Sequence, residues 1–159
     1  MNVSLSNTDL EKRIPNVITY GELRSMNIDE LMRKIPMALL YETSEHYGHW
    51  VLLHKTPEGI EFFDSYGFKP DREEELIPQK FRQPHMLSAL LRMLSQTIPI
   101  NYNQYRFQEK ETATCGRWVL MRHELSHKTI DEFKRGVDRI CAEIGVTPDE
   151  FSVMATNHL

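Results

Sequence analysis

The sequence predicts an α+β fold, in which a mixed central β-sheet packs against helices and one central helix begins at a cysteine. An unbroken apolar run over 37–43 is typical of a buried strand, 48–54 predicts a second strand, and the stretch over 59–64 follows after a short turn. Capping patterns at Thr129 and Thr147 precede helical spacing of apolar residues. A length of 159 residues suits a single domain, 1–159, with its own core.

The first third of the chain predicts short helices ahead of the sheet. One is expected over 10–14, where Pro15 ends it, and a second runs from its cap Asn27 to Lys34. The run over 37–43 then forms a buried strand.

The next two strands predict a pairing of His49 with Asp64. If residues 55–58 form the turn, His54 pairs with Gly59, and counting back places His49 directly opposite Asp64. Opposed residues have Cβ atoms about 5 Å apart, so the imidazole and the carboxylate are expected within hydrogen-bond reach. A register shift of one residue would separate them onto opposite faces. His54 has the opposite parity to His49 and is not expected to share its site.

The remaining elements are predicted from composition and spacing. Residues 71–83 resemble a charged surface loop, 86–96 a helix, and 101–108 a strand. The central helix is expected from Cys115 to about 126. The next helix should bury Phe133, Val137, Ile140 and Ile144, and a last helix should run to 155. Cys141 lies beside this apolar stripe and is interpreted as a small core residue.

Composition excludes several classes of protein. The net charge is −4, and no basic block indicates a general nucleic-acid binder. The apolar runs are far too short to span a bilayer, so no membrane partner is expected. The first residues lack the pattern of a signal peptide, which predicts a protein that is not secreted. Two cysteines cannot form a disulfide framework, and both thiols are expected to be free in a reducing compartment.

Cys115 and Gly116 have the placement of a nucleophilic cysteine. At the first turn of a helix, free backbone N–H groups and the positive end of the dipole favour a thiolate, and the glycine would let a substrate backbone approach. His49 could take the thiol proton, Asp64 could orient His49, and Gln108 with the Cys115 N–H could bind an oxyanion. Taken singly, each of these residues is also compatible with a purely structural role.

The combination of these segments resembles the adenain and SUMO-protease group of cysteine peptidases. The matching segments are Gly48-His49-Trp50, Phe62-Phe63-Asp64-Ser65-Tyr66-Gly67, Gln108, and Thr114-Cys115-Gly116. The resemblance covers about residues 5–127, and the last helices match nothing in that group. The compact length is most similar to capsid-maturation proteases of adenoviruses, virophages and related large DNA viruses.

This resemblance implies a cysteine endopeptidase with His49, Asp64 and Cys115 as catalytic residues and Gln108 in the oxyanion hole. Trp50 is implied to pack beside the site. The implied substrate is a viral structural precursor cleaved after small, Gly-containing motifs, in the virion or at the assembly site in host cytoplasm or nucleus. No cofactor or metal is expected, and the chain is expected to be a monomer. Adenain is assisted by DNA and a small peptide, but the sequence gives no support for transferring either activator.

Three other interpretations remain open. A protease for ubiquitin-like conjugates would use the same chemistry on a different partner. The sequence His123-Glu124-Leu125-Ser126-His127 fits the H-E-x-x-H pattern of zinc proteases, with Glu143 as a distant third ligand, although its flanks are charged. A catalytically silent binding module could also keep the fold. A metal site among Glu45, His46 and His49 is a weaker possibility.

Overall fold

Within the described residues, five strands form one mixed sheet whose spatial order follows the chain. The computed structural model describes residues 4–44 and 47–159. The strands are β1 (Asn16–Thr19), β2 (Met37–Ser44), β3 (Tyr47–Thr56), β4 (Gly59–Phe63) and β5 (Ile100–Tyr102). The outer pairs β1–β2 and β4–β5 are parallel, and the inner pairs are antiparallel. This arrangement confirms the predicted α+β class and its mixed central sheet.

Helices cover both faces of this sheet. The α-helices are α1 (Asn7–Glu11), α2 (Ile28–Lys34), α3 (Leu87–Leu94), α4 (Cys115–Glu124), α5 (Ile130–Ile144) and α6 (Pro148–Thr156). In the part of the chain that the structure describes, short 3₁₀ helices cover Tyr20–Ser25, Glu73–Glu75 and Gln79–Phe81. Within the described ranges, none of the helices has the length and apolar character needed to cross a bilayer.

Two hydrophobic cores lie on opposite faces of the sheet, and β3 contributes alternately to both. Trp50 and Leu52 pack with α4 and α5, whereas Val51 and Leu53 pack with α2 and α3. This alternation follows from the two-residue period of a strand. The central helix α4 therefore lies directly against the strand that carries His49.

Helix boundaries follow the capping residues closely. Asn27, Thr129 and Thr147 each accept a hydrogen bond from the backbone three residues on, as predicted, and Gly145 ends α5 with a φ of 71°. The first helix begins earlier than predicted, because Ser6 and Asp9 form a reciprocal capping box.

Two predictions about chain packing are wrong. Ile144 is 50% exposed, because it lies in the last turn of α5, beyond the residues that reach the core. The predicted strand over 101–108 ends at Tyr102. The Asn103 N–H still donates to the Phe62 carbonyl, but the Asn103 side chain bonds to backbone groups of Asp64 and Tyr105 and turns the chain away from the sheet.

The predicted register of the hairpin is also wrong, by two residues. The turn contains only Pro57 and Glu58, so Thr56 pairs with Gly59 and His54 pairs with Glu61. Extending this register would place Tyr66, and not Asp64, opposite His49. A shift of two residues keeps every side chain on its face, so His49 and Asp64 still point to the same side.

The segment over 71–83 is not the predicted surface loop. Asp71 has only 2% of its surface exposed, and its carboxylate accepts hydrogen bonds from the Tyr20 and Tyr41 hydroxyls and from the Ser88 N–H at the start of α3. Its φ of 70° is unusual for a residue other than glycine. These bonds hold the segment against the sheet, because burying a carboxylate without hydrogen bonds is costly.

A buried ion pair joins α4 to the sheet. Both carboxylate oxygens of Glu61 accept from the Arg122 guanidinium at 2.9 Å, and Nε2 of His54 lies 3.0 Å from Oε1 of the same carboxylate. Arg122 also donates to the Leu125 and Lys128 carbonyl oxygens, beyond the end of α4. The prediction that His54 is separate from the His49 site is confirmed.

Candidate active site

Cys115 is the first residue of α4, as predicted. Its side chain is 9% exposed, and the Trp50 backbone N–H donates to its Sγ at 3.5 Å. Helix N-termini offer unpaired N–H groups and the positive end of the helix dipole, and both attract a negatively charged group.

His49 and Asp64 form the predicted pair. Nε2 of His49 lies 2.9 Å from Oδ1 of Asp64, and both residues are buried. Asp64 lies just beyond β4, where the Tyr66 N–H donates to the same Oδ1 and the Asn103 amide donates to the Asp64 carbonyl. The Tyr66 ring stacks on the imidazole with centroids 4.8 Å apart. These contacts fix the imidazole in one orientation.

The electrostatic environment favours protonated His49. Burial opposes the charged form, but the charge and hydrogen bond of Asp64, assisted by Cys115, outweigh it and raise the pKa of His49 well above its usual value. With Nε2 bound to Asp64, Nδ1 is the ring nitrogen left to exchange a proton with the thiol.

Gln108 lies in the same cleft as Cys115, and its amide is oriented by two neighbours. The Ser65 hydroxyl donates to Oε1 at 2.6 Å, and Nε2 donates to the Thr112 carbonyl at 2.9 Å. An amide nitrogen carries two hydrogens, so one remains for an oxyanion. Sequence reasoning identified Gln108 but missed Ser65, since a buried serine has no distinctive pattern.

Helix α6 supports the start of α4, a role that the sequence did not indicate. Asp149 accepts from the Thr114 hydroxyl, from the Trp118 indole N–H and from the Glu109 backbone N–H. Its carboxylate thereby connects the segment after Gln108 to the first turn of α4. These partners are 31–40 residues away from Asp149, so only the folded structure reveals the connection.

Gly116 leaves room for neighbouring side chains at the start of α4. A Cβ at this position would lie 3.1 Å from the Leu5 Cβ and 3.3 Å from the Trp50 Cδ1, so the missing side chain makes room for these residues. The Trp50 indole N–H also donates to the Leu5 carbonyl. Trp50 therefore lies beside Cys115 and is anchored to the segment before α1.

Replacing Gly116 with valine is expected to displace Leu5 and Trp50 and to destabilise the fold by about 1–3 kcal/mol, because the new methyl groups overpack the site. Urea unfolding and the alkylation rate of Cys115 would measure both effects. Gly136→Val is the matched control, because a Cβ at Gly136 meets nothing within 4 Å. Equal stability of the two variants would contradict this account of Gly116.

A cleft of about 1170 Å³ opens over these residues. Cys115, His49, Trp50 and Gln108 line it, together with residues from 4–9 and 17–22. A cleft of this size accommodates an extended peptide of several residues.

Glu73 is a site residue that sequence reasoning missed. It lines the cleft, is 9% exposed, and has a carboxylate oxygen within 4.8 Å of ligand atoms of both His49 and Asp64. Burial raises its pKa, while the charge of His49 acts in the opposite direction. The run Glu73-Glu74-Glu75 predicts a solvated surface, so the sequence does not indicate that Glu73 is buried beside the site.

The alternative zinc motif is not on a continuous helix. Helix α4 ends at Glu124, so His127 lies beyond it, and His127, Glu124 and Glu143 are exposed. The i, i+4 placement that brings two histidines to one ion requires a helix through both. Glu45 and His46, proposed with His49 as a weaker metal site, lie outside the described residues.

Together these features define an α+β protein with a cysteine and a histidine–aspartate pair at one cleft. The sequence is 38% identical, over 168 aligned positions, to the uncharacterized protein V9 of Sputnik virophage. The alignment covers 97% of this chain and 94% of the relative. The chain therefore belongs to the family of this virophage protein, which is a viral family. No known protein-family profile matches the sequence.

Proposed function

We propose that this protein is a cysteine endopeptidase, similar to adenain, with Cys115 as nucleophile, His49 as base and Asp64 as the group that orients the base. The observation that carries the proposal is one geometry: His49 and Cys115 face the same cleft, and Asp64 binds His49 at 2.9 Å. Nucleophilic cysteine catalysis needs these three roles in contact.

In the proposed first half-reaction, Nδ1 of His49 takes the thiol proton of Cys115, and the thiolate attacks the scissile carbonyl carbon. The resulting oxyanion is held by the free Nε2 hydrogen of Gln108 and by the Cys115 N–H. The intermediate collapses as the C–N bond breaks. The leaving amine takes its proton from the imidazolium, and the acyl group remains on sulfur.

In the second half-reaction, His49 removes a proton from water, and the hydroxide attacks the thioester carbonyl. The C–S bond breaks, the carboxylic acid leaves, and the proton on His49 returns to the thiolate. Asp64 stays ionised throughout and stabilises the imidazolium in both steps.

The resemblance to capsid-maturation proteases suggests the substrate. We propose a viral structural precursor, cleaved after a small Gly-containing motif, in the virion or at the assembly site. Membership in a virophage protein family supports a viral role. Cleavage after glycine would fit the tight packing of Trp50, Leu5 and Gly116 beside the nucleophile.

Labelling with a peptide vinyl sulfone ending in glycine tests the proposal, since the thiolate adds to the alkene irreversibly. Wild type should label at Cys115, and Cys115→Ala and His49→Ala should lose labelling by at least about 100-fold. Cys141→Ala is the matched control, because its thiol is buried in α5, and it should label like wild type. Mass spectrometry locates the label.

The zinc-protease alternative predicts that activity depends on His123 and a metal and not on Cys115. Peptidase activity that survives Cys115→Ala, but is lost on His123→Ala and on chelation, would overturn the proposal. Absence of labelling in folded wild type, with the same glycine probe and with added DNA, would also contradict it and favour a binding module.

A further inference from the structure

Glu73 lacks the partner that a buried carboxylate normally has. Within the described part of the chain, its Oε2 is buried and has no hydrogen-bond partner. Buried carboxylates are ordinarily paired or bound to a cation, because the unpaired charge is costly to desolvate. The mechanism above gives Glu73 no task, although the residue lies beside the catalytic pair.

His49, Asp64 and Glu73 together provide a set of metal ligands. One ligand atom from each lies within 4.8 Å of the others, and all three residues are buried. One imidazole and two carboxylates are a donor set that suits Zn²⁺. Donor atoms around tetrahedral zinc lie about 3.4 Å apart, which falls between the 2.9 Å that separates His49 Nε2 from Asp64 Oδ1 and the 4.8 Å within which all three ligand atoms lie.

We propose that Zn²⁺ binds reversibly between His49, Asp64 and Glu73 and inhibits the peptidase. The ion binds Nε2 of the neutral His49 imidazole, and the single ring hydrogen moves from Nε2 to Nδ1. Because Nδ1 then carries a hydrogen, the imidazole can no longer accept the thiol proton. The ligand set follows from the geometry alone, whereas the inhibition rests on the proposed protease function.

Glu73 is the residue that distinguishes this site from an ordinary His–Asp pair. Two protein ligands alone hold zinc weakly, and a third from a fixed, buried position raises the affinity because less side-chain entropy is lost on binding. Glu73 lies on a 3₁₀ helix that precedes the buried Ile77, which fixes its backbone.

Zinc binding is tested first without any thiol chemistry. Competition with a chromophoric chelator should show one site in Cys115→Ala, and adding Glu73→Gln to that protein should weaken its affinity at least about tenfold. Glu75→Gln is the matched control, because it removes the same charge from the same 3₁₀ helix at an exposed position. Adding His49→Ala should abolish the site.

Equal zinc affinity for the Glu73→Gln and Glu75→Gln proteins would overturn the proposal, as would retention of the site after His49→Ala. Circular dichroism checks that each variant is folded.

The inhibitory step is tested separately on protein with Cys115 intact. Zinc should slow vinyl sulfone labelling, and a chelator should restore the rate. For each protein the slowing is expressed relative to its own metal-free rate, and the Glu73→Gln variant should need at least about ten times more zinc than wild type for the same slowing. Zinc binding without any labelling would reject the protease function and keep the metal site. Labelling that zinc does not slow would reject the inhibition.

Discussion

Replacing Asp64 with asparagine is expected to reduce kcat/KM by about 10²–10⁴-fold, with the larger loss at alkaline pH. The carboxylate raises the pKa of His49 against the effect of burial, so its removal lowers that pKa. The leaving amine takes its proton from the His49 imidazolium, so activity falls at alkaline pH as the imidazolium loses that proton to solvent. The alkaline limb of the pH profile therefore reports the pKa of His49. That limb should therefore move to lower pH in the variant.

A pH series of kcat/KM for wild type and variant measures this shift. Asp29→Asn, an exposed aspartate in the first turn of α2, is the control and should leave the profile unchanged. An alkaline limb that stays in place would show that Asp64 does not support a charged His49.

Replacing Arg122 with leucine is expected to destabilise the fold by about 3–5 kcal/mol, because it leaves the Glu61 carboxylate buried without its cation. Arg122 also holds two carbonyl oxygens after α4, so Arg122→Lys should recover only part of this loss, since an ammonium has no planar fork of donors. Urea unfolding gives the free energies.

The control for Arg122 is Lys12→Ala, which breaks an exposed pair with Asp9 at 3.7 Å and should cost less than about 1 kcal/mol. The double variant Glu61→Leu, Arg122→Leu should be more stable than the single variant Arg122→Leu, because it contains no unpaired buried carboxylate. If the double variant is no better, the loss comes from packing and not from charge.

Acid should weaken the same network. Burial acts to raise the pKa of Glu61, but hydrogen bonds from His54 and Arg122 outweigh it and leave the pKa lowered. A carboxyl whose pKa is lower in the folded state stabilises the fold above its unfolded pKa and loses this contribution as pH falls. The wild-type protein should therefore lose more stability on acidification than the Glu61→Leu, Arg122→Leu variant.

Most helix boundaries could be predicted from the sequence, because capping residues mark them. Asn27, Thr129, Thr147 and Gly145 each sit at a boundary that depends on residues three or four positions away. The end of β5 was missed because it depends on Asn103 bonding to Asp64, 39 positions earlier.

At the candidate site too, what depends on strand alternation was predicted and what depends on distant contacts was missed. His49 and Asp64 were paired correctly in spite of the wrong register, because the error of two residues preserved the face of each strand. Glu73 and Asp149 were missed, since their roles arise where a 3₁₀ helix and α6 approach the site in space. A charged run in sequence gives no indication of which of its members is buried.

The alternation along β3 has a consequence for the evolution of this family. Consecutive residues His49 and Trp50 serve opposite sides of the sheet, and His54, five positions after His49, must meet Glu61 on β4. A single-codon insertion or deletion between them would exchange these sides and break either the catalytic pair or the buried ion pair. Alignments of distant relatives should therefore contain no odd-length gaps across this stretch.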